Sequence, residues 1–100
     1  MGTLASAIGV RIHLKHRTVI GRNPSCDLRL AYREVSGEHA EIMWMDGAWR
    51  IRDMNSSNGT LLNNQKLSPE DWHALTEGDS VAFGHYQLRY EVTELEPPAP

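Results

Sequence analysis

The sequence contains a single cysteine, Cys26, and no long apolar run. One cysteine cannot form a disulfide within the chain, which excludes the disulfide-rich secreted domains and favours an intracellular protein, cytoplasmic or nuclear. No run approaches the roughly 18 apolar residues of a membrane-spanning helix. Residues 1–8 also lack the basic start and apolar stretch of a signal peptide. Gly2 and Ser6 fit a loose N-myristoylation pattern, so we expect membrane attachment only if Gly2 is lipidated.

Positive charge is scarce as well. Ten lysines and arginines against 13 acids give a net charge of −3, whereas a nucleic-acid-binding face is usually basic. The sequence therefore predicts no nucleic-acid partner. No histidine or acid stands at a spacing typical of a metal site, so we expect no metal and no cofactor.

Apolar and polar residues alternate with a period of two in several stretches, which is typical of half-buried β-strands. The clearest stretches are residues 8–14, 40–45, 49–52 and 86–92. Turn-forming pairs such as Asp46-Gly47 and Asn63-Asn64 separate such stretches. Strands divided by frequent turns predict an all-β sandwich or barrel. Asp46-Gly47 in particular predicts a tight hairpin.

Two segments depart from this pattern. Ser68 is followed by a proline and two acids, which is typical of a helix N-terminus and predicts a short helical turn from Pro69 to Leu75. Residues 94–100 contain three prolines and two acids, which predicts a disordered tail or linker. We therefore expect one domain over residues 4–93.

Two polar segments carry the candidate functional groups. The first is Gly21-Arg22 together with residues 36–39, and the second is residues 53–60. Arginine supplies planar, permanently charged donors that suit phosphate oxygens. A serine hydroxyl can donate to phosphate, and glycine can leave backbone N–H groups free to form an anion-binding nest. The combination indicates a phosphate-binding surface built from loops.

His39 allows three interpretations. It could be a catalytic base with Ser36 and Asp53, a metal ligand, or a buried histidine whose ring bonds the neighbouring loop. A serine and a histidine three residues apart near a strand start tend to diverge, and the sequence has no nucleophile-elbow motif. The pattern therefore favours the structural interpretation and a protein that is not an enzyme.

In order and spacing, these segments resemble the forkhead-associated (FHA) domain family. The resemblance covers about residues 19–90, and it rests on Gly21-Arg22, the segment from Ser36 to His39, residues 53–60 and residues 75–84. It implies a sandwich of two twisted, mainly antiparallel sheets with about eleven strands and with recognition loops at one end. It further implies a non-catalytic module that binds phosphothreonine in extended peptides of partner proteins, for phosphorylation-dependent interaction in signalling.

The resemblance also implies roles for individual residues. Those that would bind the phosphopeptide are Arg22, Ser36, Gly37, Ser57 and Asn58. Those that would support the shape of the site are Gly21, His39, Gly59 and Thr60. Arg22 and Ser36 would contact the phosphate, Asn58 would bond the peptide backbone, and His39 would brace the Ser36 loop.

Three positions around Ser36 depart from the family pattern. Glu34 and Gly37 stand where many relatives carry a basic or amide side chain, and Glu38 adds a second acid. An acid about 8 Å from the phosphate costs ~0.5–1 kcal/mol in water-like surroundings. An arginine–phosphate hydrogen bond contributes about 1.5–3 kcal/mol, so we expect weakened binding rather than none. The alternative is a phosphate-independent interaction or assembly domain on the same fold.

Overall fold

The computed structural model describes residues 2–98, which form eleven β-strands and no helix. In chain order the strands are β1 (Gly2–Ser6), β2 (Arg11–Leu14), β3 (Arg17–Gly21), β4 (Leu28–Arg29), β5 (Ala40–Met45), β6 (Ala48–Asp53), β7 (Thr60–Leu62), β8 (Gln65–Lys66), β9 (His73–Ala74), β10 (Ser80–Phe83) and β11 (Arg89–Leu95). Within these residues there is no helix long and apolar enough to cross a membrane.

The strands form two sheets that enclose one core. One sheet has the order β2-β1-β11-β10-β7-β8 and the other has the order β4-β3-β5-β6-β9. Neighbouring strands are antiparallel except for β3 and β4. Apolar side chains from both sheets are buried between them, among them Leu4, Ile20, Ile42, Ile51, Phe83 and Val92. The predicted two-sheet, mainly antiparallel sandwich is therefore confirmed.

Two tight turns connect successive strands as the sequence predicts. Asp46 and Gly47 have φ angles of 52° and 78° and join β5 to β6, where Met45 pairs with Ala48. Asn63 and Asn64 have φ angles of 51° and 67° and join β7 to β8. Positive φ at both central residues is the geometry that matches the twist of antiparallel strands.

The predicted helical turn from Pro69 to Leu75 is wrong. Pro69 forms a parallel bridge with Asp53, and Glu70 has a φ of 69°, which a right-handed helix excludes. The amide of Glu70 donates to the carbonyl of Asp53 at 2.9 Å, and Arg52 donates to the Glu70 carboxylate at 3.2 Å. These contacts with β6 hold the segment extended, and the local helix-start signal is too weak to compete with them.

The end of the described chain packs against the sandwich. β11 continues through Leu95, so the expected domain boundary at residue 93 falls within this strand. The indole of Trp49 donates to the carbonyl oxygen of Glu96 at 2.8 Å and packs edge-on against Trp44, with ring centroids 5.7 Å apart. Of the expected tail, residues 99–100 lie outside the described residues.

Candidate functional site

The loops that follow β3, β4, β6 and β10 are joined to one another at one end of the sandwich. The amide of Arg22, after β3, donates to the carbonyl of Ser36, after β4, at 2.9 Å. The amide of Ser57, after β6, donates to the Ser36 hydroxyl oxygen at 3.0 Å. The amide of Gly84, after β10, donates to the carbonyl of Gly59 at 2.9 Å. The two polar segments of the sequence therefore meet in one place.

Gly21 allows the loop that contains Gly37 to approach β3. A Cβ at position 21 would lie 2.2 Å from the carbonyl oxygen of Gly37, so no side chain fits there without movement of the backbone. The Gly37 carbonyl also accepts from the amide of Asn23 at 3.1 Å and from the thiol of Cys26 at 3.2 Å. Together these contacts fix the Ser36-Gly37 peptide beside Arg22.

His39 is completely buried and joins two loops. Its Nδ1 accepts from the amide of Ser36 at 3.0 Å, and its Nε2 donates to the carbonyl of Gly59 at 2.8 Å. Burial lowers the pKa of His39, which the hydrogen bond to Gly59 and the charge of Asp53 oppose. The ring is therefore held neutral, with its proton on Nε2.

The structure does not assemble Ser36, His39 and Asp53 into a catalytic triad. Both ring nitrogens of His39 are engaged by backbone groups. The hydroxyl of Ser36 meets the amide of Ser57 instead of the imidazole. A serine nucleophile needs a hydrogen bond between its hydroxyl and the base, and that bond is missing here.

Asp53 shapes the loop of residues 54–59 and is 1% exposed. Its carboxylate accepts from the amide and hydroxyl of Ser56, and from the hydroxyl of Thr60 at 2.7 Å. The Ser56 oxygen in turn accepts from the amide of Gly59 at 2.9 Å. The set of site residues predicted from the sequence contains neither Asp53 nor Ser56. The signal that could have found them is an aspartate three residues before a serine, a spacing that favours such a turn.

Asn58 links the loop after β6 to the loop after β4. Its Nδ2 donates to the carbonyl oxygen of Glu34 at 2.9 Å. Its Oδ1 has no hydrogen-bond partner among residues 2–98. One end of the amide therefore fixes the geometry of the loop, and the other is an acceptor available to a peptide N–H.

Gly84 is a further support of the site. It has a φ of 81°, and a Cβ on it would lie 2.3 Å from the carbonyl oxygen of Glu34. Gly59, with a φ of 84°, offers its carbonyl to Gly84 as well as to His39. This glycine therefore closes the base of the site by joining the loops of Glu34 and Gly59.

The polar groups at the surface of the site suit an anion. The side chain of Arg22 is exposed and makes no hydrogen bond or ion pair with another described residue. The Ser36 hydroxyl accepts from Ser57, so its own hydrogen remains available to donate. An exposed guanidinium and a fixed hydroxyl on adjacent loops can together bind a phosphate group.

Acidic groups surround this positive charge. Glu38 is exposed and Glu34 is half-buried. Desolvation raises the pKa of the half-buried Cys26 thiol, and the charges of Glu38 and Asp27 raise it further. Glu38 follows Gly37 directly in the loop between β4 and β5. Neither acid forms an ion pair with Arg22 among the described residues.

The family model and the related sequences that match this chain agree with one another. The family model described as FHA domain matches residues 18–84. The oxoglutarate dehydrogenase inhibitor of Corynebacterium diphtheriae is 37% identical over 71 residues, which cover 71% of this chain and 48% of that protein. FhaA of Mycobacterium tuberculosis, an FHA domain-containing protein, is 36% identical over 70% of this chain and 13% of its own length. The chain thus spans about half or less of the length of these relatives.

Solved structures match over nearly the whole chain. One, from an analysis of phosphothreonine-dependent FHA domain interactions, is 27% identical with a TM-score of 0.79, and the match covers 97% of this chain and 100% of that one. The FhaA FHA domain in complex with the intracellular domain of Rv3910 is 28% identical with a TM-score of 0.72, covering 91% and 94%. The family match over residues 18–84 includes the loops after β3, β4 and β6 and the first residue of the loop after β10.

Proposed function

This chain belongs to the FHA domain family, and from that premise we propose that it is a non-catalytic module that binds phosphothreonine in extended peptides of partner proteins. The observation that carries the proposal is the position of Arg22 beside Ser36. The backbone bond between these residues, 2.9 Å from amide to carbonyl, joins the loop of the exposed Arg22 to the loop of the Ser36 hydroxyl, which supports an anion site formed by both. Solved relatives include FHA domains studied for phosphothreonine-dependent interactions.

Each predicted site residue has a role that its contacts support. Arg22 donates to the phosphate as a charged group, and Ser36 donates its hydroxyl. The amide of Ser57 holds the Ser36 oxygen, while Oδ1 of Asn58 accepts from the backbone of the bound peptide. Gly37 leaves room for the side chain of Asn23, which a Cβ at position 37 would meet at 3.0 Å. A phosphate anion bound to arginine through charged hydrogen bonds gains about 1.5–3 kcal/mol per bond.

The supporting residues act through the loops. His39 and Gly59 connect the loop of Ser36 to the loop of Asn58. Thr60 fixes the re-entry into β7 through Asp53. Such pre-organisation reduces the ordering that binding would otherwise require. The absence of a hydroxyl–imidazole bond at Ser36 supports binding without catalysis.

The partner that we propose is an intracellular protein phosphorylated on threonine. The curated relatives include a regulator of metabolism, named as an oxoglutarate dehydrogenase inhibitor. A domain that binds a phosphorylated partner in this way would couple the activity of a protein kinase to assembly of a complex.

The test is titration of a degenerate peptide library with a central phosphothreonine, and of its unphosphorylated counterpart, by fluorescence anisotropy. We expect the protein to bind only the phosphorylated library. Arg22→Ala should weaken this binding by about tenfold or more, because the lost bond to a charged acceptor exceeds the ~1.4 kcal/mol of one decade. Arg11→Ala, an exposed arginine on β2, is the matched control and should bind as wild type. Equal affinity for both libraries would instead support the phosphate-independent alternative.

A further inference from the structure

The carboxamide of Asn23 lies against Gly37, the residue that follows the proposed phosphate ligand Ser36. A Cβ built on Gly37 would stand 3.0 Å from Oδ1 and 3.1 Å from Nδ2 of Asn23. The amide of Asn23 also donates to the carbonyl of Gly37 at 3.1 Å. Asn23 follows Arg22 and Gly37 follows Ser36, so the contact between Asn23 and Gly37 joins the two loops that carry the proposed phosphate ligands. It fills the space that a side chain at position 37 would begin to occupy.

Within the described part of the chain, the side chain of Asn23 makes no hydrogen bond that would give it a role in stabilising the fold. The backbone carbonyl of Asn23 closes a turn by accepting from the amide of Cys26 at 3.0 Å. Asparagine in turns usually bonds its own loop through its side chain. Here the Asn23 carboxamide has no hydrogen-bond partner among residues 2–98. Asn58, the other amide at the site, already donates to Glu34, so Asn23 is the amide whose N–H groups remain available.

We propose that Asn23 is a further phosphate ligand, which donates an Nδ2 hydrogen to the phosphate held by Arg22 and Ser36. The inference rests on the proposed function and adds a residue to its site. It also gives a physical reason for the glycine at position 37. A side chain there would displace the carboxamide, because its Cβ would be closer to Asn23 than ordinary van der Waals contact allows.

The bond should be specific for an N–H donor. A carboxamide can turn its NH₂ group toward a phosphate oxygen, and a hydrogen bond to a charged acceptor is stronger than a neutral one. An aspartate has the same shape but presents only acceptors and a negative charge. Asn23→Asp therefore keeps the packing on Gly37 but replaces the attraction to the phosphate by repulsion. The comparison with Asn23→Ala then distinguishes a phosphate ligand from a structural residue.

The experiment compares Asn23→Ala, Asn23→Asp and the double variant Asn23→Ala/Gly37→Asn with wild type, using the phosphothreonine peptide library. Asn23→Ala should lose about tenfold in affinity. Asn23→Asp should lose more, and raising the salt concentration should reduce its deficit relative to Asn23→Ala, because salt screens the repulsion. The double variant should recover part of the loss, since Gly37 does not have a positive φ and the three atoms nearest to a Cβ there all belong to the side chain that Asn23→Ala removes.

Three outcomes decide the matter. If Arg22→Ala weakens binding and neither Asn23 variant does, the inference is overturned while the proposed function stands. If Arg22→Ala has no effect, the proposed function itself fails. If Asn23→Ala and Asn23→Asp lower affinity equally and both lower the melting temperature, Asn23 is a structural residue, and this too overturns the inference.

Discussion

The imidazole of His39 donates from Nε2 to the carbonyl oxygen of Gly59, 2.8 Å away and 20 residues further along the chain. The same ring accepts from the backbone amide of Ser36 through Nδ1. This pair of bonds requires the neutral ring, since a protonated imidazole would present a second N–H to the Ser36 amide. The connection between the two recognition loops is therefore sensitive to protonation.

We predict that stability falls when the pH is lowered through the range in which His39 titrates. Burial lowers the pKa of His39 in the folded state, so the unfolded chain binds the proton more readily. The contribution of this residue is fully present above the unfolded pKa of about 6.5. It is lost, at about 1.4 kcal/mol per pH unit at most, as the pH falls toward the lower pKa of the folded state.

The measurement is urea unfolding of wild type and His39→Gln between pH 7.5 and pH 5 (about one unit above and one and a half units below the unfolded pKa of histidine). His39→Gln should be less stable than wild type at pH 7.5 by about 1–3 kcal/mol, because one of the two hydrogen bonds of the imidazole is lost. The difference between the proteins should shrink toward pH 5. The other histidines are common to both proteins and cancel. A constant difference across this range would show that His39 does not titrate with unfolding.

Asp53→Asn should destabilise the domain and weaken phosphopeptide binding together. The carboxylate accepts three hydrogen bonds from Ser56 and Thr60, and an amide in its place turns one acceptor into a donor that faces other donors. Leaving a buried group unsatisfied costs about 1–3 kcal/mol. Urea unfolding and peptide titration would measure both effects. Asp71→Asn, at an exposed position, is the control and should change neither, while an equally inert Asp53→Asn would rule out Asp53 as the organiser of the loop.

Local patterns predicted several of the strands, and the two polar segments that they bracket meet at one end of the sandwich. Alternation defines strands such as β5 and β6, and Asp46-Gly47 defines the hairpin between them. The prediction for the segment after Pro69 was wrong because contacts with Asp53, which is distant in the sequence, determine the structure of this segment. Local helix-start signals contain no information about such a competitor.

The burial of Glu41 is a second feature that the sequence pattern alone does not predict. The alternation correctly places it on the face of β5 opposite Ile42, which predicts exposure. In the structure Glu41 is 3% exposed, between Arg17 on β3 and Arg52 on β6. Strand register places Arg52 directly opposite Glu41 and Arg17 on the neighbouring strand opposite Met43, two residues along from Glu41. Register between separate strands is not readable from one strand's pattern.

Gly21→Ala should lower both stability and affinity. The added Cβ would meet the Gly37 carbonyl oxygen, a backbone atom that cannot move without displacing the loop of Ser36. Overpacking of this kind typically costs about 1–3 kcal/mol. Gly47→Ala is a useful comparison, because Gly47 has open space around it and only a positive φ to oppose the change.

Thermal unfolding and peptide titration of both glycine variants would separate the two causes. Gly47→Ala should lose about 1–2 kcal/mol from its backbone conformation and bind phosphopeptide as wild type. Gly21→Ala should lose affinity by severalfold at temperatures where it remains folded. Unchanged affinity in folded Gly21→Ala would mean that the Gly37 loop can shift without disturbing the phosphate ligands.

Neutralising the acids beside the site should strengthen phosphopeptide binding. Glu38 is an exposed acid directly after Gly37 in the loop that carries Ser36, and a like charge about 8 Å from a phosphate dianion costs ~0.5–1 kcal/mol. Glu38→Gln should therefore raise affinity about two- to fivefold at low ionic strength. The gain should shrink in high salt, where the Debye length falls to about 3 Å. Glu91→Gln, an exposed acid on β11, removes the same charge at a distance from the site and should leave affinity nearly unchanged. A similar gain in both variants would assign the effect to net charge, whereas a gain confined to Glu38→Gln would show that this domain restrains its own affinity through an acid placed at the phosphate site.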